Sequence, residues 1–176
     1  KGLEQSKTAA DKLFEIHQQE PFDLLFSSPL LRTKQTADIV GNALGLEAMV
    51  DADLREIDFG MFESKRDIEM KEDILRRRSL SSEQHFRDSL GKTGESHAAI
   101  ANRAMEFLKK MLREHPGKSL LIVTHSDVIR FLLRELEGKP LEVVYQHGHF
   151  TPCLPKEIYL DNTTGQLIDL FGIALV

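Results

Sequence analysis

Two short apolar runs constrain the fold of this chain more than any other sequence feature. Residues 24–26 and 120–123 contain only Leu, Ile, Val and Phe. Runs of this kind are typical of strands that are buried on both faces of a parallel sheet. Each run passes through a short polar turn into a stretch with apolar residues at helical spacing. The pattern therefore predicts strands that lead directly into helices, as in α/β proteins.

The remainder of the chain extends this alternation of helices and strands. The stretch before Pro21 and the stretch before Pro116 have apolar residues at helical spacing. Residues 157–176 alternate as two strands around a turn at 162–165. Residues 51–94 are polar and irregular, and we expect an insertion with one or two short helices there. The order predicts one domain over residues 1–176, a three-layer α/β/α sandwich with a mostly parallel central sheet.

Composition excludes several classes of protein. With 41% hydrophobic and 29% charged residues, the 176-residue chain is typical of a soluble globular protein, and no run approaches the ~18 apolar residues that a membrane span needs. A net charge of −5 argues against binding to nucleic acid or to an anionic membrane, although a small anionic substrate is compatible with it. The single cysteine, Cys153, excludes a disulfide framework and predicts a reducing, cytoplasmic location.

Polar residues stand where the two predicted strands pass into helices, and ligands of parallel sheets bind at those strand ends. At the first junction, Ser28-Pro29 is typical of a helix N-cap followed by the first helical residue, which places Arg32 in the first turn. At the second, His125 is followed by Ser126 and the backbone amides of a helix N-terminus. These amides favour an anion, most naturally a phosphate, and the planar guanidinium of Arg32 suits the same ligand.

Taken one by one, these residues also fit plainer roles. Arg32 alone fits a solvated position on a helix, and His125 fits a structural histidine at a strand terminus. Ser126 fits a helix cap, which we favour over a phosphate contact by its hydroxyl. Motifs elsewhere in the sequence decide between the structural and the functional interpretation of Arg32 and His125.

Four motifs occur in a fixed order along the chain: Ser-Ser-Pro-Leu-x-Arg-x-x-Gln-Thr-Ala at 27–37, Leu-Arg-Glu-Ile-Asp-Phe-Gly at 54–60, Gly-Glu-Ser at 94–96 and Val-Thr-His at 123–125. In this order and at this spacing, the chain resembles the histidine phosphatase superfamily, which has the phosphoglycerate mutase-like fold. The resemblance extends from residues 2–5 to the final strands and so covers nearly the whole chain. It implies that the irregular insertion at 51–94 lies over the active site.

The resemblance also implies roles for individual residues. Members of the family transfer a phosphoryl group through a phosphohistidine, and Arg32 and His125 match the positions that clamp the phosphate. Glu56 matches the acid that protonates the leaving oxygen, and its motif position favours it over the nearby Glu63. Glu95 matches a position at the substrate mouth, although a helix start at Glu95-Ser96 fits equally well. We expect catalytic roles for Arg32, Glu56 and His125.

The candidate substrate-binding residues are Ser28, Glu95 and Ser126. Phosphoryl transfer needs mainly positioning and positive charge around the phosphate oxygens, which fits an arginine, a histidine and backbone amides at strand ends. The leaving oxygen needs a carboxylic acid that keeps its proton near neutral pH, and burial of Glu56 would provide one.

The chain departs from the family pattern in one respect. The family's nucleophilic histidine belongs to an Arg-His-Gly motif at the end of the first strand, and no histidine of this sequence follows an arginine. His17 falls inside the predicted first helix and cannot take that role. We expect the motif and its strand ahead of Lys1. The alternative is a non-catalytic relative that has lost the nucleophile.

Two further clusters receive weaker functional interpretations. His147-Gly148-His149 together with Cys153 resembles a set of metal ligands. No second pair of ligands occurs at a spacing typical of a metal site. We therefore predict no metal and no other cofactor. Arg76-Arg77-Arg78 either gathers the anionic tail of a substrate or forms a solvated helix face, and the neighbouring charges favour the solvated face.

The sequence therefore predicts a phosphatase that hydrolyses a small phosphomonoester through a phosphohistidine, which water then resolves. A phosphoglycerate mutase-type phosphotransferase is the close variant, less favoured because the insertion is modest. A non-catalytic phospholigand-binding or scaffold protein is the alternative from another class. The sequence does not identify the substrate, and a homodimer is compatible with it but not required by it.

Overall fold

The computed structural model describes residues 2–65, 68–146, 159–160, 167–169 and 174–175. In this part of the chain, no helix has the length and apolar character needed to cross a membrane.

The described residues alternate between helices and short strands. The helices are α1 (Gly2–Gln19), α2 (Leu31–Leu44), α3 (Lys71–Arg78), α4 (Ser82–Arg87), α5 (His97–Glu114), α6 (Ser126–Glu137) and α7 (Leu141–Gln146). The strands are β1 (Leu24–Ser27), β2 (Ala48–Val50), β3 (Leu120–Val123), β4 (Tyr159–Leu160), β5 (Leu167–Asp169) and β6 (Ala174–Leu175). Short 3₁₀ turns at Ala52–Leu54, Gly60–Phe62 and Leu90–Lys92 lie in the insertion.

The main sheet is parallel and has the strand order β2-β1-β3-β6 among the described residues. Strands β1 and β3 are neighbours, and their register pairs Leu24 with Leu120 and Ser27 with Val123. Both strands therefore end at the same level, so the residues that follow them emerge side by side at one edge of the sheet.

Helices cover both faces of this sheet. Alternate strand residues point to opposite faces, and Leu25 and Leu121 accordingly pack in a buried cluster with α1 and α2. Phe26 and Ile122 point the other way, into a cluster with α5 and α6. Strand β3 is buried along its whole length and β1 along all but its first residue, and helices on both sides of them confirm the predicted α/β/α sandwich.

Two predicted helix starts need correction. Helix α2 begins at Leu31 rather than at Pro29, and Ser28 is not its N-cap. The Ser28 Oγ instead accepts a hydrogen bond from the Leu30 N–H, 3.3 Å away, in a turn that precedes the helix. Ser126 is the first helical residue of α6, and His125 occupies the N-cap position without a side-chain cap bond. Both serines therefore lie at the strand ends without capping the helices.

The insertion contains two short α-helices, α3 and α4, as the sequence predicts. The interpretation of the arginine run as a solvated face is wrong for Arg77, whose exposure is only 4%. Its Nη1 donates to Asp88 Oδ2 at 2.8 Å and to the Asp88 carbonyl at 2.7 Å. Arg76 also binds Asp88, while Arg78 is exposed. Burial of Arg77 follows from these bonds, since a buried charge needs a partner.

The C-terminal region confirms the predicted pair of strands and adds a third. Strands β4 and β5 pair antiparallel, and the turn predicted at 162–165 lies outside the described residues. Strand β6, which the sequence did not separate from this pair, lies parallel to β3 with Leu121 opposite Ala174. The strand expected ahead of Lys1 stays a prediction.

Candidate active site

His125 lies at the carboxyl end of β3 and is the centre of the candidate site. Its ring is buried, with 5% of the residue exposed. Nε2 lies 2.8 Å from the Ser28 Oγ and Nδ1 lies 3.0 Å from the Arg32 Nη2. Because a guanidinium can only donate, Nδ1 accepts and the proton of the neutral ring is on Nε2, which donates to Ser28. The β1–β3 register thus brings all three residues together.

Arg32 extends from the first turn of α2 over the end of the neighbouring strand. It is largely exposed, and its guanidinium contacts the imidazole of His125 through Nη2. A permanently charged group beside a helix N-terminus is a favourable place for an anion with several oxygens. Arg32 therefore lies where the sequence predicted a phosphate clamp.

Glu56 reaches the same imidazole from the insertion. Its Oε2 lies 3.9 Å from the His125 Nδ1, and its Oε1 accepts a hydrogen bond from the Ile57 N–H at 3.1 Å. Burial, together with the negative charge of Asp127, raises the pKa of Glu56 to about 7, against the opposing effects of Arg32 and Arg103. A carboxyl group with this pKa holds its proton in about half of the molecules at neutral pH.

The imidazole of His125 is kept neutral. Burial, followed by the positive charges of Arg32 and Arg103, lowers the pKa of His125 to about 3. The site therefore presents a neutral imidazole with a fixed positive charge 3.0 Å away and a proton-bearing carboxyl group 3.9 Å away. These are the groups that a phosphomonoester requires for binding and for release of its alcohol.

Ser126 begins α6 next to the imidazole and is half-buried. The first bond of the helix runs from the Ile129 N–H to the His125 carbonyl at 2.9 Å. The amides of residues 126–128 precede that bond and belong to the helix N-terminus, which favours anions. Phosphate binding by the Ser126 amide stays a prediction.

Glu95 lies close to the insertion but its carboxylate is engaged by protein groups. Oε1 and Oε2 receive a fork of two bonds from Arg103, at 2.9 Å and 3.0 Å. Oε2 also accepts from the Asp58 N–H at 3.1 Å. Although burial raises the pKa of Glu95, these hydrogen bonds outweigh it and leave that pKa below its usual value. A substrate-binding role for Glu95 stays a prediction.

Two residues near the site were missed by sequence reasoning. Asp127, in the first turn of α6, raises the pKa of Glu56 and pairs with Arg130 at 3.1 Å. Arg103 contacts the backbone of the segment that carries Glu56. One signal was available for Arg103: it stands three residues after Ile100 and four before Phe107, on the buried stripe of α5. A charged residue on such a stripe needs partners.

The other candidates lie apart from this arrangement. Glu63, the rival acid, is exposed, and its Oε1 accepts from the Phe59 N–H at 3.0 Å. The cluster at 147–149 with Cys153 lies outside the described residues. Within the described ranges, no group of three or more His, Cys, Asp or Glu residues could hold a metal ion.

Comparison with known proteins gives several matches. Over 153 residues, covering 84% of this chain, it is 30% identical to phosphoserine phosphatase 1 of Hydrogenobacter thermophilus. Over 119 residues, covering 66% of this chain, it is 34% identical to a probable phosphoglycerate mutase, GpmB, of Salmonella paratyphi A. These alignments cover 68% and 54% of the two relatives, so the chain spans only part of their length.

The structure also matches known folds. It superposes on Bacillus stearothermophilus YhfR with a TM-score of 0.74 at 24% identity, covering 93% of this chain and 80% of that one. This likeness supports the predicted phosphoglycerate mutase-like architecture. The family model for the histidine phosphatase superfamily (branch 1) matches residues 1–169. The chain, with its strand-end histidine and arginine, therefore belongs to the histidine phosphatase superfamily.

Proposed function

We propose that this protein is a phosphatase that hydrolyses a small phosphomonoester through a phosphohistidine intermediate. One observation carries the proposal: Arg32, Glu56 and His125 meet at the joint carboxyl end of β1 and β3. The name of the relative from Hydrogenobacter thermophilus, a phosphatase, supports hydrolysis. The family resemblance supplies the expectation that the nucleophilic histidine precedes Lys1.

The substrate phosphate binds first. Its oxygens take the place of His125 Nδ1 as acceptors for Arg32, and the N-terminal amides of α6 donate to the same group. The Ser28 Oγ accepts a hydrogen bond from the Nε2–H of His125, and this bond holds the ring in one orientation.

The nucleophilic imidazole then attacks phosphorus, and the bond from phosphorus to the ester oxygen breaks. Glu56 donates its proton to that oxygen, which leaves as a neutral alcohol. Water then attacks the phosphohistidine, with Glu56 accepting a proton from it. The P–N bond breaks, inorganic phosphate leaves, and both the imidazole and the acid return to their starting states.

This cycle needs no metal or organic cofactor, and we propose none. The insertion would contact the remainder of the substrate. Ser28, Glu95 and Ser126 remain the proposed substrate-binding residues, with Glu95 at the substrate mouth. The single domain over 1–176, the cytoplasmic location and the homodimer that the sequence allows also remain proposals.

Trapping the intermediate in the full protein tests the function. Mixing with a ³²P-labelled phosphomonoester and quenching within milliseconds should yield a protein-bound phosphate that is labile in acid and stable in base. His125→Ala should lower kcat/KM by about 10²-fold, because it removes the imidazole that positions Arg32 and Ser28 at the strand ends. His115→Ala is the matched control, because His115 caps the far end of α5 and precedes the amino end of β3.

Three outcomes would contradict the proposal. Full activity in His125→Ala would show that His125 is not part of the active site. Transfer of the label to a second hydroxyl of the substrate, without release of phosphate, would favour the mutase. Phosphate binding without turnover or a trapped intermediate would favour the phospholigand-binding relative.

A further inference from the structure

A cluster of charged side chains connects α5 to residues 53–58, the segment that carries Glu56. Its centre is Arg103, whose side chain is 13% exposed and whose partner Glu95 is 21% exposed. The pair is a two-bond fork, which is the strongest geometry for an arginine and a carboxylate.

Arg103 also donates hydrogen bonds to the main chain of that segment. Nη1 donates to the Asp53 carbonyl at 2.6 Å, and Nη2 donates to the carbonyl of Glu56 itself at 3.2 Å. Arg103 thereby links two backbone positions that stand 50 and 47 residues away in sequence. Such contacts fix the main chain, and through it the direction in which the Glu56 side chain leaves.

Glu95 binds the backbone at Asp58, the last residue of this segment. Its backbone N–H donates to the Asp58 carbonyl at 2.8 Å, and its Oε2 accepts from the Asp58 N–H. The segment is also anchored from the sheet, where the Thr124 Oγ1 donates to the Leu54 carbonyl at 2.7 Å. Thr124 directly precedes His125, so the sheet anchor and the Arg103 bridge fix Glu56 relative to the imidazole.

We propose that Arg103, oriented by Glu95, is a positioning residue that holds the general acid Glu56 at the leaving oxygen. This inference rests on the proposed function. It gives Glu95 a role different from substrate contact, since the carboxylate acts through Arg103. Arg103 itself touches the main chain and Glu95, and it acts on the reaction only through Glu56.

The dependence on leaving group distinguishes this role from a general structural one. An acid matters when the alcohol is a poor leaving group and matters little when the leaving group is stable as an anion. We therefore compare kcat/KM of the full protein on an alkyl phosphate and on p-nitrophenyl phosphate. Arg103→Lys keeps the charge and loses the fork, and Arg113→Lys, at the exposed end of the same helix, is the matched control.

For Arg103→Lys we expect a loss of about 10- to 100-fold on the alkyl phosphate, as for a small displacement of a reacting group. On p-nitrophenyl phosphate we expect a loss below about threefold. Glu95→Gln, which keeps the shape of the side chain, should show the same pattern more weakly. Adding Arg103→Lys to Glu56→Gln should cause no further loss, because both changes act through one proton transfer.

Each other outcome is informative. Equal losses on both substrates, or losses that add fully to those of Glu56→Gln, would overturn the positioning role. If Glu95→Gln alone raises KM on both substrates, Glu95 contacts the substrate and does not act through Arg103. If Glu56→Gln itself shows no preference for leaving group, the proposed general acid fails, whatever Arg103 does. Should Arg103→Lys not fold, Glu95→Gln and its double variant with Glu56→Gln give the same comparison.

Discussion

The strand ends and the insertion at 51–94 are stabilised by different forces. Around the ends of β1 and β3, the side chains of Ser27, Ser28 and His125 are at most 5% exposed, and main-chain register fixes their positions. In the insertion, Met61 and Ile68 are more than 60% exposed. Its buried contacts depend instead on a few apolar side chains and on bonds between arginines and carboxylates.

The two halves of the candidate site are therefore held in place by different interactions. The half that contains Arg32 and His125, the proposed phosphate-binding residues, follows from strand register, which cannot change without moving the core. The half that carries the proposed acid, Glu56, depends on Arg103, which binds a backbone carbonyl 47 residues away in sequence. Elsewhere in the insertion, Arg77 joins α3 to Asp88. We expect the removal of a buried charged side chain to affect the insertion more than the sheet.

The largest effect on stability should come from Arg77. Arg77→Met keeps the length of the side chain and removes a nearly buried charge that binds Asp88. Breaking a buried pair costs about 3–5 kcal/mol, but Arg76 still binds Asp88 in the variant, so we expect about 2 kcal/mol in the free energy of unfolding. Urea denaturation followed by circular dichroism measures it.

Arg78→Met is the matched control, because Arg78 is exposed in the same helix and should change stability by less than about 0.5 kcal/mol. Equal effects at the two positions would show that the arginine run is a solvated face after all. The comparison between the insertion and the sheet would then lose its basis.

A smaller effect should appear as a pH dependence of stability. The pKa values of His97 and His125 are lowered to about 3, in each case mainly by burial, so the folded state binds fewer protons than the unfolded state below about pH 6.5. The contribution of these two histidines to the free energy of unfolding therefore decreases as pH falls. Glu56 has the opposite sign, since its raised pKa gives the folded state an extra proton between about pH 4.5 and 7.

Two histidines against one carboxyl leave a difference of about one proton near pH 5.5. Burial also lowers the pKa of His85, which acts in the same direction, so the slope should be at least about 1.4 kcal/mol per pH unit. Unfolding free energy should fall by this amount as pH decreases through that region. His97→Gln should flatten the dependence and Glu56→Gln should steepen it. A dependence that both variants leave unchanged would contradict the assigned protonation states.

The sequence predicted the parts of the site that local pattern controls. His125 and Arg32 follow apolar runs short enough to be strands, and parallel pairing then brings them together. Arg103 could not be predicted in the same way, because its partners are backbone carbonyls about fifty residues away. The cap predicted at Ser28 was wrong, since a serine before proline also fits a turn and a neighbouring imidazole.

The family resemblance, rather than spacing, predicted Glu56 as the acid. Nothing local distinguishes it from Glu63, and only the fold shows that Glu56 reaches the imidazole while Glu63 is exposed. Arg77 shows the same limit: whether a charged residue is buried depends on partners such as Asp88 that are brought close by tertiary packing.

The central claim is that Glu56 donates the proton to the leaving oxygen, and the pH dependence of kcat/KM on an alkyl phosphate tests it most directly. In the unmodified protein, kcat/KM should fall about tenfold per pH unit above about pH 7, where Glu56 loses its proton. Glu56→Gln should lower kcat/KM by about 10² or more and abolish this decline, whereas Glu63→Gln should keep both the rate and the decline. Loss of the decline in Glu63→Gln, or its survival in Glu56→Gln, would contradict the account.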